Sequence, residues 1–213
     1  ENALRYAAEP ISTTGRYFFW TDDAVSRCRC PQCRGYSDGD QSLILENHII
    51  RALRQQHPHA QLAHLAYVTT ADPPRVVKPE PGIFLEFAPI QRSHMQPLSN
   101  RTARLEGHTI THGQVLDQLD ANLELFGSAD ARILEYWLDV SRFSSWKRPA
   151  VALPGRPEVV ADDLQACSDR GIRHITCYGA WMDDTYLATF GRPPLHEYGE
   201  LLRHAGPNPG VSR

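Results

Sequence analysis

Apolar residues along the chain fall into short continuous runs, separated by segments in which they recur at helical spacing. The runs of strand character are Arg16–Trp20, Leu62–Val68, Ile83–Phe87, Ile133–Leu138 and Ile172–Tyr178. Most are unbroken rather than alternating, the pattern of parallel strands covered on both faces. Between them, Leu45, Ile49 and Leu53 share one face of a predicted helix from about Gln41 to Gln56. Leu116, Leu119, Leu123 and Phe126 do the same in a helix beginning near His112. Val160, Leu164 and Cys167 repeat at helical spacing, and Pro157 suits a first-turn position. A last short helix is expected over His196–His204, with Ala205–Arg213 as a Pro/Gly-rich tail.

Alternation of strand and helix predicts a parallel α/β architecture. One connection departs from it. Thr69 to Gly82 contains Pro73, Pro74, Pro79 and Pro81, so an irregular crossover or a much-reduced helix is expected there. About five strands are too few for a closed eight-stranded barrel.

Composition narrows the classes. The 213 residues are 41% hydrophobic and 22% charged, enough for a substantial core. A net charge of -3, with no dense Lys/Arg cluster, argues against nucleic acid as a partner. No apolar run approaches the roughly 18 residues of a membrane helix. The chain starts at Glu1 without a charged-then-apolar leader, as processing or a fragment would each give. None of the ten histidines forms HExxH or another compact ligand pattern.

The five cysteines cannot all pair within a monomer. Cys28, Cys30 and Cys33 crowd a turn just after Phe18-Phe19-Trp20-Thr21-Asp22-Asp23. With one outside ligand they could hold a structural zinc, the only cofactor the sequence suggests. A disulfide, or free thiols, are the alternatives. Cys167 and Cys177 sit in apolar patterns and are expected to pack as small hydrophobes.

Asp23 followed by Cys28-x-Cys30-x-x-Cys33, then Ser37-Asp38, Asn47, Pro58, Leu65-Ala66-Tyr67 and Pro73-Pro74, form an ordered set. Later, Glu135-Tyr136-Trp137-Leu138-Asp139 and Gly171-Ile172 extend it. In these residues the chain resembles the family once catalogued as DUF4838 and now grouped as glycoside hydrolase family 163. The resemblance implies a (β/α)8 barrel of TIM type acting as an endo-β-N-acetylglucosaminidase on N-glycans. It also implies a secreted, periplasmic or bacterial cell-surface location and a glycan or glycoprotein as partner. The family pattern includes strands upstream of the acid–cysteine block. Residues 1–204 are therefore expected to form a partial barrel, its later strands, with 205–213 as a tail.

Glycoside hydrolysis needs a carboxylic acid for the leaving oxygen and a group opposite the sugar that stabilises positive charge. A 2-acetamido substrate can supply its own carbonyl oxygen as nucleophile, oriented by a carboxylate. Asp22 and Asp23 end a strand, where barrel enzymes keep their chemistry. Glu86 lies inside an apolar run, where a carboxylate is costly unless paired or working. Its bland reading is an ion pair with Arg92 or another base. Glu135, Trp137 and Asp139 share one strand face by period-two geometry, with Tyr136 on the other, and suit a sugar subsite. Tyr67 ends its strand and could bond an acetamido oxygen. Trp146, Tyr178 and Trp181 follow strands and could wall the site. Two other readings stand beside this one. One is a non-catalytic glycan-binding or structural fragment. The other is a barrel glycosidase for a uronide, which Arg92 and Arg142 leave open.

Overall fold

The computed structural model describes Arg5, residues 14–20 and residues 27–204. Asp22, Asp23 and the tail 205–213 lie outside the described residues. In chain order the elements are β1 (Arg16–Tyr17), α1 (Asp38–Gln56), β2 (Gln61–Ala66), a 3-10 turn (Val68–Thr70), β3 (Ile83–Phe87) and α2 (His112–Phe126). There follow β4 (Arg132–Asp139), α3 (Val140–Phe143), α4 (Pro157–Asp169), β5 (His174–Ala180), α5 (Asp184–Phe190) and α6 (Leu195–His204). The strands are parallel and ordered β1-β2-β3-β4-β5, the topology of an incomplete α/β barrel. All five strand positions agree with the apolar runs. The short helices α3 and α5 were not expected. Each is capped by an aspartate, Asp139 and Asp183, in a segment too short to show apolar periodicity.

The chain divides into two compact units. The first is Glu1–Ala88 with Asp117–Arg132, the second Pro89–Leu116 with Ile133–Arg213.

In the first unit, register assigns each side chain to a face. Arg16 is level with Gln61, Ala63 with Phe84 and Leu65 with Glu86. Alternation then places Arg16, Phe18, Ala63, Leu65, Phe84 and Glu86 on one side, and Tyr17, Leu62, His64 and Ile83 on the other. The second side is covered by α1. Tyr17, Leu62 and Ile83 pack there with Leu43, Ile50 and Leu53, and Phe126 joins them from α2. Truncating Leu53 to Ala in such a core costs about 2–5 kcal/mol.

The buried face of α1 differs from the expected one. Leu45 is exposed and Ile49 only half-buried, whereas Asp40, Glu46 and Asn47 are buried. The cause is polar. Glu46 reaches His64 Nδ1 on β2 at 2.6 Å. Asp40, Asn47 and Arg54, spaced seven apart and hence on one helix face, grip the proline-rich crossover. Asp40 Oδ1 accepts from the Val76 and Val77 amides at 2.9 Å each. Asn47 accepts from the Glu80 amide at 2.8 Å and donates to the Lys78 carbonyl at 2.9 Å. Arg54 donates to the Pro81 carbonyl at 2.5 Å. Prolines forbid a crossover helix, as expected, and side chains of α1 satisfy the backbone groups such a helix would have paired internally.

Helix α1 starts where its caps dictate. Ser37 and Asp40 form a reciprocal capping box, and Asp38 and Asp40 place negative charge in the first turn. In the second unit, Pro157 opens α4 at its first turn. Trp137, Val160 and Leu164 form the core there, with Ile175, Cys177, Tyr198, Leu201 and Leu202 packed around them. Cys167 is buried and Cys177 half-buried. Burial pushes both thiols up to about 12, so they behave as inert apolar groups. Among the described residues no helix is long and apolar enough to cross a membrane.

Candidate active site

The face of β1–β3 opposite α1 carries the most unusual carboxyl group in the first unit. Glu86 is 3% exposed, in a strand whose five residues are all buried. Its nearest cation is Arg132, with Nε 4.0 Å from Oε2. Neither of those two atoms has a hydrogen-bond partner among the described residues. Burial raises the Glu86 pKa above the usual carboxylate range, and Arg132 only partly offsets it. A carboxyl group so placed keeps its proton to higher pH than an exposed one.

Aromatic rings surround this pair. Arg132 lies over the Phe18 ring, 5.1 Å from its centroid, and Phe18 meets Phe84 edge-on at 5.7 Å. Arg16 covers Phe84 at 5.2 Å. Trp20, 45% exposed, stands edge-on to Phe18. By alternation Tyr67 falls on the same side, at the end of β2, and is half-buried. Its amide donates to Thr70 Oγ1 at 3.0 Å. The next residue, Val68, has φ 48. A β-branched residue there is strained by about 1–2 kcal/mol, and such strain gathers at functional sites.

In the second unit, Glu135, Trp137 and Asp139, read from sequence as a sugar subsite or as a salt-bridged strand end with a core tryptophan, have internal partners. Glu135 Oε2 is 3.0 Å from Arg92 Nη2 and 3.0 Å from His94 Nε2, and is wholly buried. Arg92 also pairs with Asp163 of α4, whose Oδ2 accepts from the Trp137 indole at 2.8 Å. Asp163 Oδ1 accepts from the Leu98 amide at 2.8 Å. Burial opposes the charge on Arg92, but Glu135 and Asp163 outweigh it and raise its pKa. His94 is driven well below the ordinary imidazole range, by burial first and the Arg92 charge second. It is therefore neutral, and its Nε2–H donates to Glu135. Asp139 Oδ1 is taken by the Ser141 hydroxyl at 2.5 Å and the Arg142 amide at 3.2 Å. These carboxylates belong to an internal ion network and a helix cap.

Arg92 consequently pairs with Glu135 and Asp163, and Arg132 serves Glu86. Arg142 donates to the Ile90 and Arg92 carbonyls at 2.9 and 2.5 Å. The two arginines that left a uronide site open are thus committed to structure. Sequence reasoning missed Arg16, Arg132, His94 and Asp163. Arg16 opens one apolar run and Arg132 immediately precedes another, but only pairing across tens of residues gives these four their roles.

Beside the ion network is a cavity of about 210 Å³, lined by His94, Trp137, Phe143, Leu153, Val160 and Tyr198 among others. Tyr136 takes the other strand face from Trp137 and stacks obliquely with Tyr178 at 5.9 Å. Tyr178 is 49% and Trp146 61% exposed. Trp181 is half-buried under Arg148, 4.3 Å from its ring centroid, and Arg148 pairs with Asp183 at 2.5 Å. Ser145, Trp146 and Trp181 have φ 54, 53 and 62, so three loop residues after β4 and β5 are backbone-strained.

In the first unit, Cys28, Cys30 and Cys33 bring their sulfurs within 4.8 Å of one another. No disulfide links cysteines among the described residues.

Residues 20–120 match the family model of DUF4838, a domain of unknown function. The DUF4838 segment takes in the cysteine turn, Tyr67, Glu86, Arg92 and His94, and ends before β4. No curated protein and no solved structure matches the chain.

Proposed function

We propose that this chain is a glycoside hydrolase that cleaves β-linked N-acetylglucosamine in N-glycans, with Glu86 as proton donor. The observation that supports this reading is the Glu86 carboxyl group. It is buried on a strand, weakly paired to Arg132 and disposed by burial to hold a proton. A general acid must carry its proton near neutral pH and deliver it to the leaving oxygen. The neighbouring Phe18 and Trp20 offer exposed apolar faces for pyranose CH groups. Tyr67 supplies a hydroxyl on the same side for the acetamido group. Asp22 and Asp23 follow Trp20 in the chain and are the candidates to orient that group. The N-glycan as substrate, and an extracytoplasmic location, rest on the family resemblance.

A second reading is a glycan-binding protein without hydrolysis. The strained, exposed Trp146 and the exposed Tyr178 favour it, because rigid aromatic faces bind sugars without any acid.

Incubation with a complex N-glycoprotein, read by mass spectrometry of released glycan, tests both. Wild type is expected to release glycan, and Glu86→Gln to be slower by about 10²–10⁴-fold, the usual worth of a general acid. Glycan bound but never released supports the second reading. Release undiminished in Glu86→Gln overturns the role given to that residue.

A further inference from the structure

The turn that carries Cys28, Cys30 and Cys33 is held in place by groups that are not thiols. Cys33 and Arg34 amides donate to the Cys30 carbonyl at 3.0 and 2.9 Å. Gln41 on α1 donates to the carbonyls of Cys28 and Cys33 at 3.0 and 3.5 Å. Arg29 pairs with Asp38 in the first turn of that helix at 2.6 Å. The backbone is thus anchored at both ends to the start of α1, and three sulfurs converge inside it.

A disulfide accounts for two of these thiols and leaves the third idle. A single cation accounts for all three. Tetrahedral thiolate coordination at about 2.3 Å requires sulfur separations of about 3.8 Å. Sulfurs already within 4.8 Å reach that spacing by side-chain rotation of about 1 Å or less. Cys28 is exposed and the other two half-buried, so the fourth position faces solvent.

We propose that Cys28, Cys30 and Cys33 bind one zinc ion as three thiolates, with an exchangeable fourth ligand, and lock the turn to α1. The cation takes the place of the thiol protons, each leaving to solvent as its sulfur–metal bond forms, so binding weakens as pH falls. The zinc site stands independently of any hydrolase activity.

The test uses the full chain, reduced and freed of metal, titrated with Co²⁺ and then with Zn²⁺. A thiolate-to-cobalt charge-transfer band that saturates at one equivalent and is displaced by one equivalent of Zn²⁺ is expected. With Zn²⁺ present, alkylation of Cys28, Cys30 and Cys33 should stop while Cys177 is unaffected, read by peptide mass spectrometry. Cys30→Ser should weaken cobalt affinity by at least about 100-fold, since even outer-shell losses cost 10–100-fold. Cys177→Ser should leave it unchanged. If Cys30→Ser fails to fold, the wild-type alkylation pattern decides alone. Absence of the band at one equivalent, binding that survives Cys30→Ser, or a disulfide among the three cysteines in the isolated chain overturns the proposal.

Discussion

Asp40→Asn is the sharpest probe of how the helixless crossover is held. Asp40 is 1% exposed. Burial alone would raise its pKa. The Val77 amide, the Ser37 hydroxyl and the amides of Val76 and Ser37 together overcome this and hold it at about 2, from a starting value of 3.8. At about 1.36 kcal/mol per unit, that difference is about 2 kcal/mol of stability. A carboxylate depressed in the folded state stabilises above its unfolded pKa and loses that contribution as pH falls through the folded value. The window therefore runs from about pH 4 down to about pH 2. Asparagine keeps an acceptor oxygen but not the charge. The variant should be about 2 kcal/mol less stable than wild type at pH 7, and the gap should close towards pH 2. Urea denaturation at a series of pH values measures it, because subtracting variant from wild type cancels the other carboxylates. Hydrogen exchange at the Val76 and Val77 amides localises it: both should exchange faster in the variant at neutral pH. A stability difference that does not change between pH 7 and pH 2 would refute the charge-based account.

Glu86→Gln mimics the protonated acid. Because the Glu86 pKa is raised, its proton-dependent contribution is present below the ordinary glutamate range and lost as pH rises through the shifted value. The variant should match wild type at low pH and be the more stable protein above it, as thermal melts across pH will show. Arg92→Met leaves Glu135 and Asp163 buried without their cation, and should cost about 3–5 kcal/mol in urea denaturation. A neutral outcome would mean the ion network contributes nothing net. Gly82, at φ +98, precedes β3, and an added Cβ would sit 3.0 Å from the Ala60 carbonyl oxygen and 3.1 Å from Arg54 Nη1. Gly82→Ala should destabilise by about 1–3 kcal/mol, and unchanged stability would show that the turn relaxes freely.

The order of strands and helices was written in local pattern. Continuous apolar runs such as Ile83–Phe87 need cover on both faces, and prolines at 73, 74, 79 and 81 exclude a helix wherever the chain folds. Period-two geometry depends only on backbone pleat and assigns Trp137 and Tyr136 to opposite faces of their strand; their neighbours differ, Asp163 for one and Tyr178 for the other. What each face meets was not local information. Leu45 reads as core by spacing, yet Glu46 and Asn47 take the buried side because His64 and the crossover carbonyls offer them partners. Glu135 and Glu86 look alike in sequence, each a carboxylate in an apolar strand. Only packing decided that one is tied to Arg92 and His94, while the other is left 4.0 Å from Arg132. Chain periodicity fixes which way a side chain points. The energy of a buried charge depends on groups brought from elsewhere in the chain, so tertiary structure alone settles its role.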